Sequence, residues 1–287
     1  MKNVVVTGSL AYDHLMTFDG NLKDSIINNS ETLSVAFTTN SHHIDFGGCS
    51  GNIAYSLKLL GESPIIIGIA GNDFDKYEDW LRKNDISNSK IYIDDNNNTA
   101  AAHILTDTHQ NQFTMFSPGA MQSDNFIELD EKEYGLAILA PEMPSRMLKL
   151  AKYFIEKDIP YIFDPGQMVT VFKNKEDMDF LIKNSIGVIL NEYEASLINK
   201  NFGDILHANF IIKTLGEKGV EINGSELVPA QKVDKIVDST GCGDAFRAGF
   251  IHGYINNKSL AESAEIGCKV AAAAIAKHGT QNHSLAS

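Results

Sequence analysis

Short apolar, β-branched runs recur along the chain at intervals wide enough to hold a helix between them. Residues 4–6 (Val-Val-Val), 65–67 (Ile-Ile-Ile), 136–139, 161–163, 188–190 and 210–212 are such runs. Helical spacing of apolar positions follows several of them, over 50–60, 145–157, 177–183 and 192–200. Two further helices are predicted over 244–255 and 260–277. A strand covered by helices on both faces is apolar throughout, whereas a strand with one wet face alternates. The pattern therefore predicts βαβ units and an α/β fold with a mostly parallel, helix-covered central sheet.

Two stretches break this rhythm. Residues 31–46 and about 90–117 alternate polar and apolar positions as half-exposed strands do, with 107–112 as a polar hairpin turn. They predict a small β appendage over about 15–46 and 90–117, inserted in a single domain spanning residues 1–287. Ligands of α/β sheets bind beyond the carboxyl ends of the strands, so the appendage is expected to act as a lid. Extra strands of the main sheet would read the same way.

Composition narrows the partners. Among 287 residues, 37 are acidic and 24 basic, a net charge of −13, so nucleic acid is not an expected partner. A hydrophobic content of 43% suffices for a sizeable core. No apolar run approaches the roughly 18 residues of a membrane span. The N-terminus opens into a strand-like run rather than a secretory leader. Cys49, Cys242 and Cys268 have neither disulfide-framework nor metal-type spacing. These features predict a cytoplasmic protein with no membrane partner.

The strongest local chemistry lies at Asp238-Ser239-Thr240-Gly241-Cys242-Gly243-Asp244, between strand-like residues 235–237 and a helical run from 245. Glycines 241 and 243 let consecutive amides converge, and the helix adds its positive dipole end, which together make an anion site. Asp244, at the helix start, is placed to take a proton from a hydroxyl nucleophile. It equally suits an ordinary N-capping role, and the turn alone does not separate the two.

The run 238–246 resembles the second signature of the PfkB, or ribokinase, family of kinases, D-T-T-G-A-G-D-A-F. Gly47-Gly48-Cys49-Ser50-Gly51-Asn52-Ile53-Ala54, followed by Gly61 and Gly71, resembles the first. Gly8-Ser9-Leu10-Ala11-Tyr12-Asp13 is similar to the family's first strand end. Asn191-Glu192-Tyr193-Glu194 is similar to its N-x-x-E element, and Thr214-Leu215-Gly216-Glu217-Lys218-Gly219 to its T-x-G-x-x-G. The resemblance covers almost the whole chain. It implies a ribokinase-like three-layer sandwich with a β-sheet lid, and ATP-dependent phosphoryl transfer to an alcohol.

Residue by residue, the resemblance implies Asp244 as the base and Gly241, Cys242 and Gly243 as the anion hole. Arg247 would neutralise phosphate or pair with a structural carboxylate. Gly47 and Gly48 would hinge the lid, with Ser9, Asp13, Asn52 and Phe116 on the substrate side. Asn191, Thr214, Gly216, Gly219 and Gly279 would serve the nucleotide. Glu194 would hold Mg²⁺ through water, and K⁺ would lie near Asp238 and Thr240. Lids of this family often pair between subunits, which implies a homodimer.

The implied substrate is a nucleoside or a sugar. Sugar-specific members often carry lysine after the paired glycines and asparagine two residues before the first-strand aspartate; Cys49 and Ala11 stand there instead. Phe37, Phe46, Phe113 and Phe116 lie in or beside the lid, and a flat aromatic face suits a purine, although a lid core or dimer seam would use such residues too. Segments 116–121, 164–167, 244–250 and 278–281 resemble the bacterial adenosine kinase branch and its archaeal nucleoside-kinase relatives. The expected reaction is phosphorylation of the 5′-hydroxyl of adenosine. Inosine, guanosine, cytidine or a ribose-type sugar are the alternatives, and a catalytically silent nucleoside-binding sensor is the non-kinase one. Cys242 departs from the signature, where alanine, serine or glycine is expected. At a helix N-terminus its thiol pKa is expected to fall, unless it merely packs.

Overall fold

The computed structural model describes residues 3–26, 35–109, 111–130 and 134–285. Its strands are β1 (Asn3–Thr7), β2 (Ala11–Phe18), β3 (Ser41–Gly47), β4 (Pro64–Gly71), β5 (Ile91–Asp94), β6 (Ala100–Asp107), β7 (Gln112–Ser117), β8 (Tyr134–Leu139), β9 (Tyr161–Phe163), β10 (Gly187–Asn191), β11 (Ile211–Thr214), β12 (Val220–Ile222) and β13 (Glu226–Val228). Its helices are α1 (Leu22–Ile26), α2 (Cys49–Leu59), α3 (Asp75–Lys83), α4 (Pro144–Glu156), α5 (Lys175–Lys183), α6 (Glu192–Phe202), α7 (Cys242–Ile255) and α8 (Leu260–Ile275).

Nine strands form one sheet in the order β13-β12-β11-β10-β9-β8-β1-β4-β5, parallel except for the antiparallel β11-β12-β13 edge. Alternation along β1 divides the core. Val5 joins Ala137, Leu139 and the apolar sides of α4, α5 and α6 on one face. Val4 and Val6 join Ile138, Ile189, Ile212 and α2, α7 and α8 on the other. Both faces are covered, which is why the strands are apolar throughout. The result is an α/β three-layer sandwich. Among the described residues no helix is long and apolar enough to cross a membrane.

A second sheet, in the order β3-β2-β6-β7, stands on this core. It departs from the sequence expectation in three places. Ile91–Asp94 pairs in parallel with β4 at the edge of the large sheet rather than with the small one, because alternation marks a half-exposed strand without naming its neighbour. Residues 35–39 carry no strand, 31–34 lie outside the described residues, and the strand expected there begins at Ser41. Residues 235–237 are not a strand either. Their stretch is tied to α8, with the amides of Val237 and Asp238 donating to the Ile275 carbonyl at 2.9 and 3.2 Å.

Candidate active site

Most of the motif residues stand at the carboxyl ends of parallel strands, where a doubly wound sheet opens a crevice. Gly8 and Ser9 follow β1, Asp164 follows β9, Asn191 ends β10 and Thr214 ends β11. Asn191 and Thr214 are register partners. The end of β1 is braced from below, where the Gly8 amide donates to the buried Glu142 carboxylate at 2.6 Å and Glu142 pairs with the buried Arg146. Ser9 is tied to α2, its Oγ accepting the Cys49 amide at 3.1 Å and its carbonyl accepting the Ser50 amide and hydroxyl. It fixes the start of α2.

The glycine-rich turn meets the geometric demand placed on it. Gly241 is the N-cap of α7 with φ 72 and ψ 0, a left-handed conformation that favours glycine. The helix start leaves the amides of Gly243 and Asp244 without an intrahelical acceptor. The Cys242 amide, expected in the anion hole with those of Gly241 and Gly243, donates to the Ser239 carbonyl at 3.3 Å. The Cys242 thiol does not become acidic either. Burial, then the Asp244 charge, push its pKa up and outweigh Arg247 and a hydrogen bond from the Gly243 amide.

Asp244 is held on several sides. Its Oδ2 accepts from Asn52 Nδ2 at 2.8 Å. Burial lifts its pKa to about 6, against the opposing pull of Arg247 and the Asn52 hydrogen bond. A carboxylate with that pKa is ionised at neutral pH yet more basic than an exposed one, as a general base requires. Arg247 resolves to the structural of its two readings. It is buried, its Nη2 donates to Asp164 Oδ1 at 2.7 Å, and its Nε lies against Asp164 Oδ2. It acts on Asp244 through its charge.

Gly47 and Gly48, the expected hinge, are tightly placed. Gly48 has φ 86, and a side chain there would run into the Ser9 carbonyl and come within 2.8 Å of Leu10 Cα. A side chain on Gly47 would meet the Asp13 carboxylate. Burial, then Asp45 and Asp244, raise Asp13 to about 6. Asp45, Asp13, Ala102 and Phe116 are successive register partners and so form one row across one face of the small sheet. Phe116 stands 51% exposed at its far end.

On the other flank, Asn191 and Glu194 form the capping box of α6. Asn191 Oδ1 accepts the Glu194 amide and Glu194 Oε2 accepts the Asn191 amide, both at 2.8 Å. Burial, then the nearby Asp164 charge, raise the Glu194 pKa. Gly216 and Gly219 shape the turn after β11, with positive φ of 61 and 104. Asp238 accepts the Thr240 amide at 2.9 Å and the Gly279 amide at 3.1 Å. Burial opposes its charge, but these bonds hold its pKa below the usual carboxylate value.

Two parts of the site went unread in the sequence. A cleft of about 490 Å³ opens beside the turn, lined by residues 232–235, Val237, Ala272, Ala273 and Ala276; the small alanines on α8 are the signal that marks it. The other part is Gln281 with Tyr77 and Trp80, whose contacts reach Asn52 and the hinge.

A helix-covered parallel sheet, a buried carboxylate beside a glycine-rich helix start and a second, smaller sheet fit a phosphotransferase of the ribokinase fold. The chain belongs to the pfkB family of carbohydrate kinases, whose pattern matches residues 1–286. It is 31% identical over 250 residues to a nucleoside kinase of Methanocaldococcus jannaschii, covering 83% of this chain and 82% of that one. It is 28% identical over 254 residues to a cytidine kinase of Thermococcus kodakarensis, covering 81% and 88%. Among solved structures, the Burkholderia thailandensis nucleoside kinase in complex with inosine superposes with a TM-score of 0.84 at 31% identity, covering 98% of this chain and 93% of that one. The chain is thus a phosphotransferase with a hydroxyl acceptor on a nucleoside or sugar, in a family that uses ATP and a divalent metal.

Proposed function

We propose that the chain transfers the γ-phosphoryl group of ATP to the 5′-hydroxyl of a nucleoside, with adenosine, giving AMP, as the leading acceptor. The row Asp45, Asp13, Ala102, Phe116 carries the nucleoside reading. Neighbouring strands lie about 4.8 Å apart, so Asp13 and Phe116, two strands apart, are separated by roughly 10 Å. A pentose gripped at Asp13 ends short of Phe116. A nucleoside whose ribose is gripped there lays its base over the small Ala102 and onto the exposed phenyl ring.

Asp244 takes the proton of the acceptor hydroxyl, the oxygen attacks the γ-phosphorus, and the bond to ADP breaks. Charge on the phosphoryl's outer oxygens meets the amides of Gly243 and Asp244. The cleft beside residues 232–237 suits the adenine of ATP, with Thr214, Gly216 and Gly219 near its phosphates. Mg²⁺ fits beside Glu194, whose capping box uses Oε2 and whose buried charge favours a cation; it would neutralise the nucleotide's phosphates and keep most of its waters. K⁺ near Asp238 would draw on that carboxylate's charge, because both of its oxygens already accept amides.

The small sheet acts as the lid over this site, hinged at Gly47 and Gly48. Its other face leaves Ile44, Phe113 and Met115 at 52%, 43% and 55% exposure, an apolar surface that a second copy of the chain would cover. Light scattering showing a single-chain mass at all concentrations would remove that homodimer. The activity is tested by ATP consumption with adenosine, inosine, guanosine, cytidine, ribose and fructose. A nucleoside should be preferred. Turnover of ribose or fructose alone would overturn the reading, and nucleoside binding without turnover of any acceptor would make the protein a sensor.

A further inference from the structure

We propose that Gln281 is a positioning residue for the base, aiming Asn52 at Asp244 and tying both to the hinge of the small sheet at Gly47. This rests on the reading of Asp244 as the base. The direction of each hydrogen bond follows from one donor. The Trp80 indole nitrogen can only donate, and it lies 2.9 Å from Gln281 Oε1. That fixes which end of the Gln281 amide faces the other way. Its Nε2 donates to Asn52 Oδ1 at 3.1 Å and to Tyr77 Oη at 2.5 Å. Asn52, with its oxygen taken, must present Nδ2 to Asp244, at 2.8 Å. Tyr77, with its oxygen accepting, passes its own proton to the Gly47 carbonyl at 2.8 Å.

All three polar side chains between Trp80 and the base are shut away from water, with Gln281 at 4%, Asn52 at 5% and Tyr77 at 0% exposure. A buried amide whose partners are all fixed has one orientation; removing one partner frees it to turn over. The neighbouring residue strengthens the tie. The Thr280 hydroxyl donates to the Phe46 carbonyl at 2.9 Å, and its methyl packs where a side chain on Gly241 would sit, 2.8 Å away. Thr280 thus holds the Phe46 carbonyl directly and packs against the turn at Gly241, while Gln281 reaches the Gly47 carbonyl through Tyr77 and Asp244 through Asn52. A hinge movement at 46–48 pulls on the same bonds that aim Asp244.

The groups acting on Asp244 are Arg247 of its own helix, Asp164 beyond β9, and Asn52 and Cys49 of α2. Asp13 of β2, Tyr77 of α3, Glu194 of α6 and Cys242 feel its charge in turn. Among the groups that set the Asp244 pKa, only the Asn52 bond depends on Gln281. That bond lowers the Asp244 pKa, so losing it raises the pKa and moves the acid limb of activity to higher pH.

Three variants test the proposal: Gln281→Leu, Gln281→Glu and Trp80→Phe. Gln281→Leu keeps the bulk and removes the amide. Gln281→Glu accepts from Trp80 but cannot donate, so Asn52 turns its NH₂ away from Asp244. Trp80→Phe removes only the indole donor and keeps a ring against Phe46. For Gln281→Leu, kcat should fall by about 10–100-fold with the KM for ATP within about twofold. The Asp244 midpoint, read by carboxylate ¹³C NMR without substrate, should rise by about 0.5–1 pH unit. Gln281→Glu should shift further and Trp80→Phe less, in the same direction. An unchanged midpoint and pH profile in the folded variants, with only a lower melting temperature, would reduce Gln281 to a packing residue and overturn the proposal. Should Gln281→Leu not fold, Trp80→Phe and Gln281→Glu decide it by the same readings. Absence of kinase activity in the native chain would sink the function and leave the NMR midpoint to judge the Gln281–Asn52–Asp244 tie.

Discussion

Replacing Asp244 by asparagine should cost activity and increase stability at once, and the two effects have one origin. Burial lifts the Asp244 pKa from an ordinary 3.8 to about 6. In the unfolded chain the group ionises at the ordinary value, so above pH 6 the fold carries a charge that the unfolded chain holds more comfortably. A lift of about two pH units corresponds to about 3 kcal/mol at most. The carboxyl keeps some contact with solvent, which brings the expected gain for Asp244→Asn down to about 1–2 kcal/mol at pH 7. The penalty is absent below the unfolded pKa, builds as pH rises from about 4 to 6, and is constant above. Urea denaturation of both proteins at pH 7 and at pH 3.5 should therefore show the variant ahead at pH 7 and level at pH 3.5. Turnover should drop by about 10²–10⁴ while nucleoside binding persists. The native kcat/KM should fall on the acid side near pH 6. A variant that turns over near the native rate removes Asp244 as base; one that is less stable at pH 7 refutes the electrostatic account of its pKa.

Two further substitutions probe the supports of the site. Gly48→Ala should lose at least about 2 kcal/mol in urea denaturation, because φ 86 is strained for alanine and the clash is with backbone at Ser9 to Ala11; a loss below about 0.5 kcal/mol, the size of an ordinary surface change, would mean the backbone there adapts. Arg247→Met should cost about 3–5 kcal/mol by leaving Asp164 charged, buried and unpaired. Adding Asp164→Asn should recover part of that loss, and additive losses in the double-mutant cycle would contradict the pairing.

What was legible in the sequence was local. The turn at 238–244 needs glycine at a left-handed N-cap and a carboxylate in the first helical turn, and both demands fall within seven residues. The capping box of Asn191 and Glu194 is legible for the same reason. The Trp80, Gln281 and Asn52 network is not, because its partners lie 201 and 229 residues apart and the motif around Asn52 names neither Trp80 nor Gln281 as its neighbour. Strand identity was legible without strand partnership. Ile91–Asp94 has the alternation of a half-exposed strand, yet only the fold decides that β4 rather than the small sheet is its neighbour. Residues 235–237 look like a strand by composition, but the amides of Val237 and Asp238 are answered by Ile275 at the end of α8.

The charge balance of the site explains why amides and a metal share the phosphate. Asp13, Asp164, Glu194, Asp238 and Asp244 converge on the strand ends, and each of their pKa values responds to at least one of the others or to Arg247 or His278. Arg247, the arginine in their midst, is bound to Asp164. The lysines at 232 and 235 line the cleft beside the turn instead. A triphosphate entering alone would meet net negative charge, which the α7 amides offset over only the short range of a helix end. A divalent cation carried with the nucleotide reverses that balance, and the same carboxylates that repel bare phosphate then attract the complex. Acidic surroundings of this kind are thus compatible with ATP only when a metal accompanies it, as in the family to which the chain belongs.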